Sequence, residues 1–429
     1  MSTVPASSAH AAPNVDDIDL SDIEWWSRPL AEREAAFAVL RAERPIAPMV
    51  FEPVPESGLP RTEYWSVTRH AEVLEASRNP ELFCSGQGTN IVDLPVPFLE
   101  FFGSIINMDD PRHARLRRIV SRGFTPRQLE VLRADVEGVA AEIVDGIAGR
   151  GECDFVTDVA APLPLRVILE LMGIPRSQEQ FVFERTNVIL GFGDPEYVDS
   201  DDPATVTATI LTAAQDLATM VRELAEARVR EPGNDLVTAL VTTEVDGEHL
   251  TPEELASFFI LLVVAGNETT RNAIAHGLWL LSQYPDQRDR LLADFDAVSP
   301  TAVEEIVRVA SPVMHFRRTV TEDGVRLGDH EFSAGEKVVL WYWSANRDEA
   351  VFADPYRFDV GRTPNDHVGF GGAGPHYCLG AHLARREIAV MLQEVFRRLP
   401  DIHTVDEPER LRSNFINGIK HMRAEFTPA

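Results

Sequence analysis

The strongest chemical signal in the sequence is a glycine-rich segment around one cysteine, residues 367–386, which reads HVGFGGAGPHYCLGAHLARR. Cys378 stands at the start of a helical pattern that continues to about residue 399. A helix N-terminus, with its dipole and free backbone N–H groups, favours a thiolate there. The glycines at 371, 372 and 374 permit close backbone approach. No second cysteine is near and the neighbouring histidines lack a zinc spacing, so the pattern predicts a lone metal ligand. The alternative is a glycine-rich turn around an incidental buried cysteine.

A second signal is the run AGNETT at residues 265–270, which places a carboxylate, Glu268, and a hydroxyl, Thr269, inside an apolar helical pattern. Buried polar groups are costly unless they are partnered or needed. The start of this helix is specified by Thr251 as N-cap, Pro252 at the first position and Glu254 completing a capping box. We expect it to run to about residue 284 through the centre of the molecule. This segment alone leaves two interpretations equally open. Either the pair has a chemical role, or Glu268 faces solvent and Thr269 bonds to the carbonyl four residues earlier.

The chain around Cys378, Glu268 and Thr269 is predicted to be mostly helical. Apolar residues recur at three and four along residues 31–44, 113–124 and 127–147, and the fold class is therefore mainly α. Short β-branched and aromatic runs at 64–68 and 337–343 add a small β region, and a turn-like segment leads into the second run. A long irregular stretch at 83–106 carries both glycines and phenylalanines, which is typical of a functional loop.

Composition limits the classes of function. The 429 residues carry a formal net charge of −28, which argues against a nucleic-acid partner. The longest strongly apolar run, residues 258–266, is too short to cross a bilayer. Three distant cysteines fit a reduced cytoplasmic chain. The N-terminus has no signal-peptide pattern, so we expect a disordered leader over 1–29 and, without repeats or linkers, a single domain over 30–429.

The cysteine segment resembles the haem-binding loop of the cytochrome P-450 superfamily. The family places a glycine four residues before the cysteine, a basic residue two before it and a glycine two after it, and Gly374, His376 and Gly380 match. The aromatic residue usual at seven before the cysteine is Gly371 here, and Phe370 stands one place earlier. That departure is similar to the actinobacterial lipid and sterol hydroxylases. The fold implied is a triangular helical prism around haem.

Further motifs follow the same resemblance in the expected order. It implies haem b with Cys378 as the axial ligand of the iron, and Glu268 and Thr269 as the pair that delivers protons to dioxygen. It implies a structural network of Glu305, Arg308 and the meander arginine Arg357. The haem contacts that it implies are His113, Arg117, Ala265, Gly266, Arg318, Gly371, His376 and Gly380.

The resemblance also implies a reaction. We expect a monooxygenase that uses O2 and acts on an apolar lipid, most simply a methyl-branched fatty acid or isoprenoid hydroxylated at or near its terminal carbon. Electrons would come from a separate ferredoxin or flavodoxin with its reductase, docking on the cysteine side near Arg385 and Arg386, and the enzyme would be a monomer. The positions expected to line the pocket are all apolar: Phe98, Phe101, Ile105, Ile106, Val188, Leu190, Phe192, Leu262, Val263, Val313, Phe316 and Ile416.

Three alternatives stay open from the sequence. A sterol side-chain hydroxylase shares the same motifs. A haem-thiolate peroxygenase usually lacks the acid and alcohol retained as Glu268 and Thr269. A haem-binding sensor or carrier without turnover would have no need for that pair.

Overall fold

The computed structural model describes residues 13–53, 59–94, 104–121, 126–191, 194–200, 202–242 and 249–429, without the side chains of 126–135. Helices dominate this part of the chain, as the apolar periodicity predicted. The helices are α1 (Leu30–Glu43), α2 (His70–Arg78), α3 (Arg112–Ser121), α4 (Pro126–Ile147), α5 (Pro162–Met172), α6 (Glu179–Leu190), α7 (Pro203–Arg230), α8 (Leu236–Thr242), α9 (Pro252–Gln283), α10 (Pro285–Ala293), α11 (Phe295–Ala310), α12 (Tyr342–Ala345) and α13 (Ala381–Arg398).

The described strands are short and form four small sheets. They are β1 (Ile46–Phe51), β2 (Thr62–Val67), β3 (Phe83–Cys84), β4 (Glu152–Asp154), β5 (His315–Val320), β6 (Val325–Leu327), β7 (His330–Phe332), β8 (Lys337–Trp341), β9 (His403–Thr404), β10 (Glu409–Arg410), β11 (Ile419–His421) and β12 (Arg423–Glu425). The largest sheet has the order β1-β2-β8-β5-β3, with β2 and β8 parallel and its other pairs antiparallel. Both predicted strands are confirmed as β2 and β8, and the turn-like segment between them forms the β6–β7 hairpin.

The central helix α9 begins where the sequence predicts. Thr251 Oγ1 accepts the Glu254 backbone N–H, and the Glu254 carboxylate accepts the Thr251 N–H, which completes the capping box. The helix has 32 residues and therefore spans about 48 Å. It packs against α5, α7, α11 and α13, and most of its residues are buried in the main hydrophobic core.

The N-terminal segment differs from the expectation of a disordered leader through residue 29. Trp25 and Trp26 form a short 3-10 turn and are buried. Trp26 stacks on Trp341 of β8 with ring centroids 5.4 Å apart, and Trp25 meets Phe37 of α1 edge to face. Two buried indoles contribute a large apolar contact area, and this holds the segment against the sheet. Residues 1–12 of the expected leader lie outside the described part of the chain.

Across the described ranges, no helix combines the length and the apolar character that a membrane span requires.

Candidate functional site

Cys378 lies three residues before the start of α13. Its backbone N–H donates to the Phe370 carbonyl at 3.0 Å, which closes the glycine-rich segment into a loop. The residue is exposed, yet desolvation by the protein atoms around its thiol raises its pKa more than the Gly380 N–H and the guanidinium groups of Arg117 and Arg385 lower it. The Gly380 N–H acts in the direction expected of a helix N-terminus, but it does not outweigh the desolvation, so a bound metal would have to displace the proton. The thiolate state of Cys378 stays a prediction.

At two positions of the loop, steric reasons favour glycine over any residue with a side chain. Gly371 has φ +87°, in the left-handed region that side chains disfavour. A Cβ at Gly374 would collide with the Ser77 carbonyl at the end of α2. By contrast, a Cβ at Gly380 would meet no described heavy atom within 4 Å. The guanidinium of Arg385 lies 4.3 Å from the centre of the Phe370 ring.

A cluster of basic side chains adjoins the cysteine loop. The rings of His113 on α3 and His376 lie 4.4 Å apart, and Arg117 Nη2 donates to the Tyr377 carbonyl at 2.7 Å. Burial, followed by the charges of Arg318, His113 and Arg117, lowers the pKa of His376 to about 3. The structure thus brings together four residues that the sequence placed in three distant segments, on α3, on β5 and in the loop.

The acidic groups that act on this basic cluster through His113 are Asp110 and Asp109. His113 Nδ1 lies 3.4 Å from Asp110, whereas its buried Nε2 has no hydrogen-bond partner in the described part of the chain. Arg318 Nη1 donates to the Arg317 carbonyl at 2.8 Å, and its guanidinium also interacts with the Tyr342 hydroxyl. Guanidinium groups suit carboxylates because they donate paired hydrogen bonds. The cluster is therefore suited to hold the acidic groups of a ligand.

Midway along α9, one face is open although most of the helix is buried. Ala265 is exposed and Thr269 is half-buried, and Leu262 is on the same helix face by its spacing. Thr269 Oγ1 donates to the Ala265 carbonyl at 2.6 Å. The alternative of a back-bonded threonine is thus realised, but its hydroxyl stays accessible from the open face.

Glu268 does not reach a solvated face. Its carboxylate is buried, ion-paired with Arg271 one turn along α9, and accepts from Asn272 Nδ2 at 2.9 Å. Arg271 in turn donates to Asn187 Oδ1 of α6 at 3.1 Å. The acid is therefore held by a polar network that joins α9 to α6. Arg271 and Asn272 carry the i, i+3 and i, i+4 spacing from Glu268 that could have identified them from the sequence.

Gly266 has a packing role. A Cβ at this position would come within 2.6 Å of Ile168 Cδ1 on α5. The glycine therefore allows α5 to approach α9 closely. The haem contact that the resemblance implied for Gly266 stays a prediction.

The predicted structural network is correct in two of its three members. Arg308 donates to both oxygens of the fully buried Glu305, at 2.7 and 2.8 Å. The third member is Arg362, whose Nε lies 3.1 and 3.0 Å from the same two oxygens. The prediction of Arg357 is wrong: its side chain is exposed, and only its backbone carbonyl joins the network. The loop between residues 357 and 362 turns back on itself, so the later arginine reaches the carboxylate.

The predicted pocket residues divide into three groups. Phe98, Phe101 and Phe192 lie outside the described residues. Val263, Ile105 and Ile416 are buried, and Val263 is 0% exposed on the helix face opposite the open one. These three pack the interior, which corrects their assignment to a pocket wall. The partly exposed apolar residues that remain as possible lining are Ile106, Val188, Leu190, Leu262, Val313 and Phe316.

The arrangement fits a haem. The open face of α9 and the cysteine loop belong to neighbouring parts of the fold, because the helix that follows the loop, α13, packs against α9. One thiol is the donor, and the basic side chains of His113, Arg117 and Arg318 adjoin the loop. In the described residues no group of three or more His, Cys, Asp or Glu side chains could hold a metal ion, so Cys378 would act as a lone protein ligand. Iron in a porphyrin needs only such axial ligands from the protein.

Comparisons with known proteins agree with this geometry. The family model described as Cytochrome P450 matches residues 205–420. The chain is 48% identical over 411 residues to the methyl-branched lipid omega-hydroxylase of Mycobacterium tuberculosis, covering 95% of this chain and 94% of the relative. It is 40% identical to the steroid C26-monooxygenase of Rhodococcus jostii, covering 98% and 88%. A Mycobacterium marinum cytochrome P450 solved with pseudoionone superposes with a TM-score of 0.89, at 41% identity over 97% of this chain and 100% of that one.

Proposed function

The chain belongs to the cytochrome P450 family, and we propose that this haem monooxygenase hydroxylates a methyl-branched lipid at or near its terminal carbon. The family and fold that the motifs implied are confirmed, and with them haem as the cofactor. The observation that carries the substrate class is the 48% identity over 95% of the chain to a hydroxylase named for such lipids. The partly exposed apolar residues near the open face of α9 are compatible with a substrate of this kind.

We propose that Cys378 ligates the haem iron and that His113, Arg117 and Arg318 bind the haem propionates. Haem held by a thiolate supplies the activation of dioxygen that inserts one oxygen atom into a C–H bond, with two electrons and two protons consumed. The loop glycines keep the backbone close behind the thiol. The positive side chains of Arg117 and Arg318, together with His113, would neutralise the propionate carboxylates of the haem, which would otherwise be costly to bury.

Thr269 and Glu268 are the groups proposed to move protons. The Thr269 hydroxyl borders the open face of α9, and it can exchange its bond to the Ala265 carbonyl for a bond to a water molecule and so hold a proton at that face. Glu268 neighbours it in sequence but points into the network of Arg271 and Asn272. To deliver a proton, its carboxylate must leave Arg271 by a side-chain rotation. The ion pair therefore acts as the resting position of the acid.

Electrons are proposed to come from a separate ferredoxin or flavodoxin on the cysteine side. The two arginines that we expected to offer free positive charge there are engaged in ion pairs: Arg385 Nη2 lies 2.9 Å from Glu304, and Arg386 pairs with Glu137. The Arg386–Glu137 pair is the more exposed of the two, and exposed ion pairs are weak, so an acidic partner could compete for Arg386. Arg385 is half-buried and donates to both oxygens of Glu304, so it is less available.

The second candidate is oxidation of a steroid side chain. It is favoured by the 40% identity over 98% of the chain to a steroid C26-monooxygenase. Both reactions attack a terminal methyl group of a branched aliphatic chain, so the two candidates differ in the body of the substrate and not in the chemistry.

The experiment that tests the proposal has two stages. The reduced, carbon-monoxide difference spectrum of haem-loaded protein should show the strongly red-shifted Soret band of a thiolate ligand. Cys378→Ser should lose that band, and Cys153→Ser, at a buried thiol elsewhere in the core, should keep it. A Cys378→Ser protein that retained the band would exclude Cys378 as the ligand.

The same preparation then separates the substrates. Titration with a methyl-branched fatty acid, a straight-chain acid of equal carbon number and a sterol is followed by the spin-state shift of the Soret band. Tightest binding and terminal hydroxylation of the branched acid support the first candidate. A response to the sterol alone would transfer the proposal to the steroid side chain.

A further inference from the structure

Three arginines from separate parts of the chain lie close enough to act on one another and on His276 in the C-terminal half of α9. Arg33 lies on α1, Arg410 forms the end of β10, and Arg347 follows α12. We call them the arginine cluster. Their mutual repulsion is evident from the pKa of Arg33, which burial, Arg410 and Arg347 lower to about 10 against the opposing effect of Glu34. The pKa of the buried His276 on α9 falls to about 3, through burial first and then the charges of Arg410, Arg347 and Arg33.

The acidic groups near the arginine cluster do not match its charge. Glu34 is a quarter exposed and meets Arg347 Nε at 3.4 Å. Glu407 is exposed and acts on Arg410 from the surface. Arg308, which also faces Arg347, is already paired with Glu305. Three guanidinium charges thus face two carboxylates, so at least one buried positive charge lacks a counterpart among these neighbours.

Hydrogen bonding in the arginine cluster is also incomplete. Arg347 is satisfied, since it donates to the carbonyls of Trp343 at 3.2 Å and Val309 at 2.8 Å. Arg33 is only 6% exposed, yet its Nε has no hydrogen-bond partner in the described part of the chain. In the described part of the chain, the buried Nη1 of Arg410 and the indole Nε1 of Trp279 also have no hydrogen-bond partner. The guanidinium of Arg410 lies over the Trp279 ring, 5.1 Å from its centre. Buried donors are normally paired, and unpaired ones carry a desolvation cost.

We propose that the arginine cluster is a binding site for a small oxyanion of the phosphate type. Guanidinium groups and an indole N–H are donors only, and the guanidinium fork matches the paired oxygens of a tetrahedral anion. An anion there would balance the unmatched charge and accept hydrogen bonds from Arg33 and Arg410. The proposed site uses none of the residues assigned to haem.

The site adjoins the region of the candidate pocket through one histidine. His276 Nε2 bonds to the Asn417 carbonyl at 3.1 Å, and the neighbouring Ile416 bridges Val313. Binding in the arginine cluster would therefore order a loop next to the residues proposed to line the pocket.

The test uses the full haem-loaded chain and inorganic phosphate as the probe. The thermal unfolding midpoint is measured against phosphate concentration, with chloride replaced so that ionic strength and pH stay constant. We expect a saturable rise for the wild type, loss of that rise in Arg410→Met, and an unchanged rise in Arg326→Met. Arg326 is an exposed arginine with only a 3.6 Å contact to Glu331. A wild type that shows no saturable rise, or an Arg410→Met variant that keeps it in full, overturns the proposal.

Equilibrium dialysis of the wild type with labelled phosphate makes the test independent of the variants' stability. One phosphate per chain, displaced by sulfate but not by an equal concentration of chloride, is the expected result. A stoichiometry near zero, or displacement by chloride at the same concentration as by sulfate, would exclude an oxyanion site.

Discussion

Replacing Arg362 by methionine should destabilise the protein strongly, whereas the same replacement of Arg357 should not. Arg362 Nε is shared between both oxygens of Glu305, at 3.1 and 3.0 Å. Its two terminal nitrogens donate to the carbonyls of Ala353, Arg357 and Asp354, at 2.7, 2.8 and 3.2 Å. Methionine keeps much of the side-chain volume and removes every one of these bonds.

The magnitude follows from the burial of the carboxylate. A hydrogen bond to a charged group contributes roughly 1.5–3 kcal/mol, and a bond to a carbonyl about 1 kcal/mol. Because Arg308 remains paired with Glu305, the loss is smaller than the ~3–5 kcal/mol of a buried pair that is broken completely. We expect a decrease of about 2–4 kcal/mol in the free energy of unfolding, which is roughly a 30- to 700-fold change in the unfolding equilibrium. The exposed Arg357 should give a change within about 0.5 kcal/mol.

The assay is urea unfolding of Arg362→Met, Arg357→Met and wild type, each loaded with haem to the same ratio and followed by far-UV circular dichroism. Haem retention is checked by the Soret band, so that a loss of cofactor is separated from a loss of fold. The reasoning is refuted if the two variants are equally destabilised, or if Arg362→Met differs from the wild type by less than about 1 kcal/mol.

Three further changes test the site and its surroundings. Thr269→Ala should keep haem but divert reducing equivalents from hydroxylated product to peroxide, measured as product formed per electron consumed; unchanged coupling would contradict the proton role. Gly266→Ala should destabilise by no more than about 1 kcal/mol, because the new Cβ meets Ile168 Cδ1, the movable end of a side chain, and alanine favours a helix more than glycine does. Ile168→Val in the same chain should recover part of that loss in thermal unfolding, whereas strictly additive effects would speak against the contact. For His421, burial lowers the pKa, but two carboxylates on its ring nitrogens outweigh this and raise it above 6.5. A raised pKa gives stability that is present below the unfolded-state pKa and lost as pH rises through the folded-state pKa. The free energy of unfolding lost in His421→Gln should therefore be larger at about pH 5.5 than at about pH 8.5. An equal loss at both pH values would exclude a contribution from the charged imidazole.

Local patterns allowed much of the fold to be predicted. The start of α9 depends on residues within three positions of one another, and the apolar periodicity of a helix repeats within each turn. The same is true of Glu305 and Arg308, whose spacing of three places them on one helix face. The cysteine loop was recognisable because its glycines and Cys378 form one continuous segment.

Contacts between distant segments could not be predicted in this way. The third member of the buried network is Arg362 because the loop folds back, and spacing within the segment gave no means to choose it over Arg357. Trp26 is ordered by Trp341, more than three hundred residues away in the chain, and no local pattern reports that contact.

The family, the helical class, the cysteine loop and the polar pair on α9 could be read from the sequence, because each is encoded in neighbouring residues. The folded chain was needed to show that Glu268 pairs with Arg271, that Gly266 gives room to Ile168 of α5 and that Val263 packs in the core. Which way a side chain points is set by the elements packed around its helix, and those elements come from distant parts of the chain.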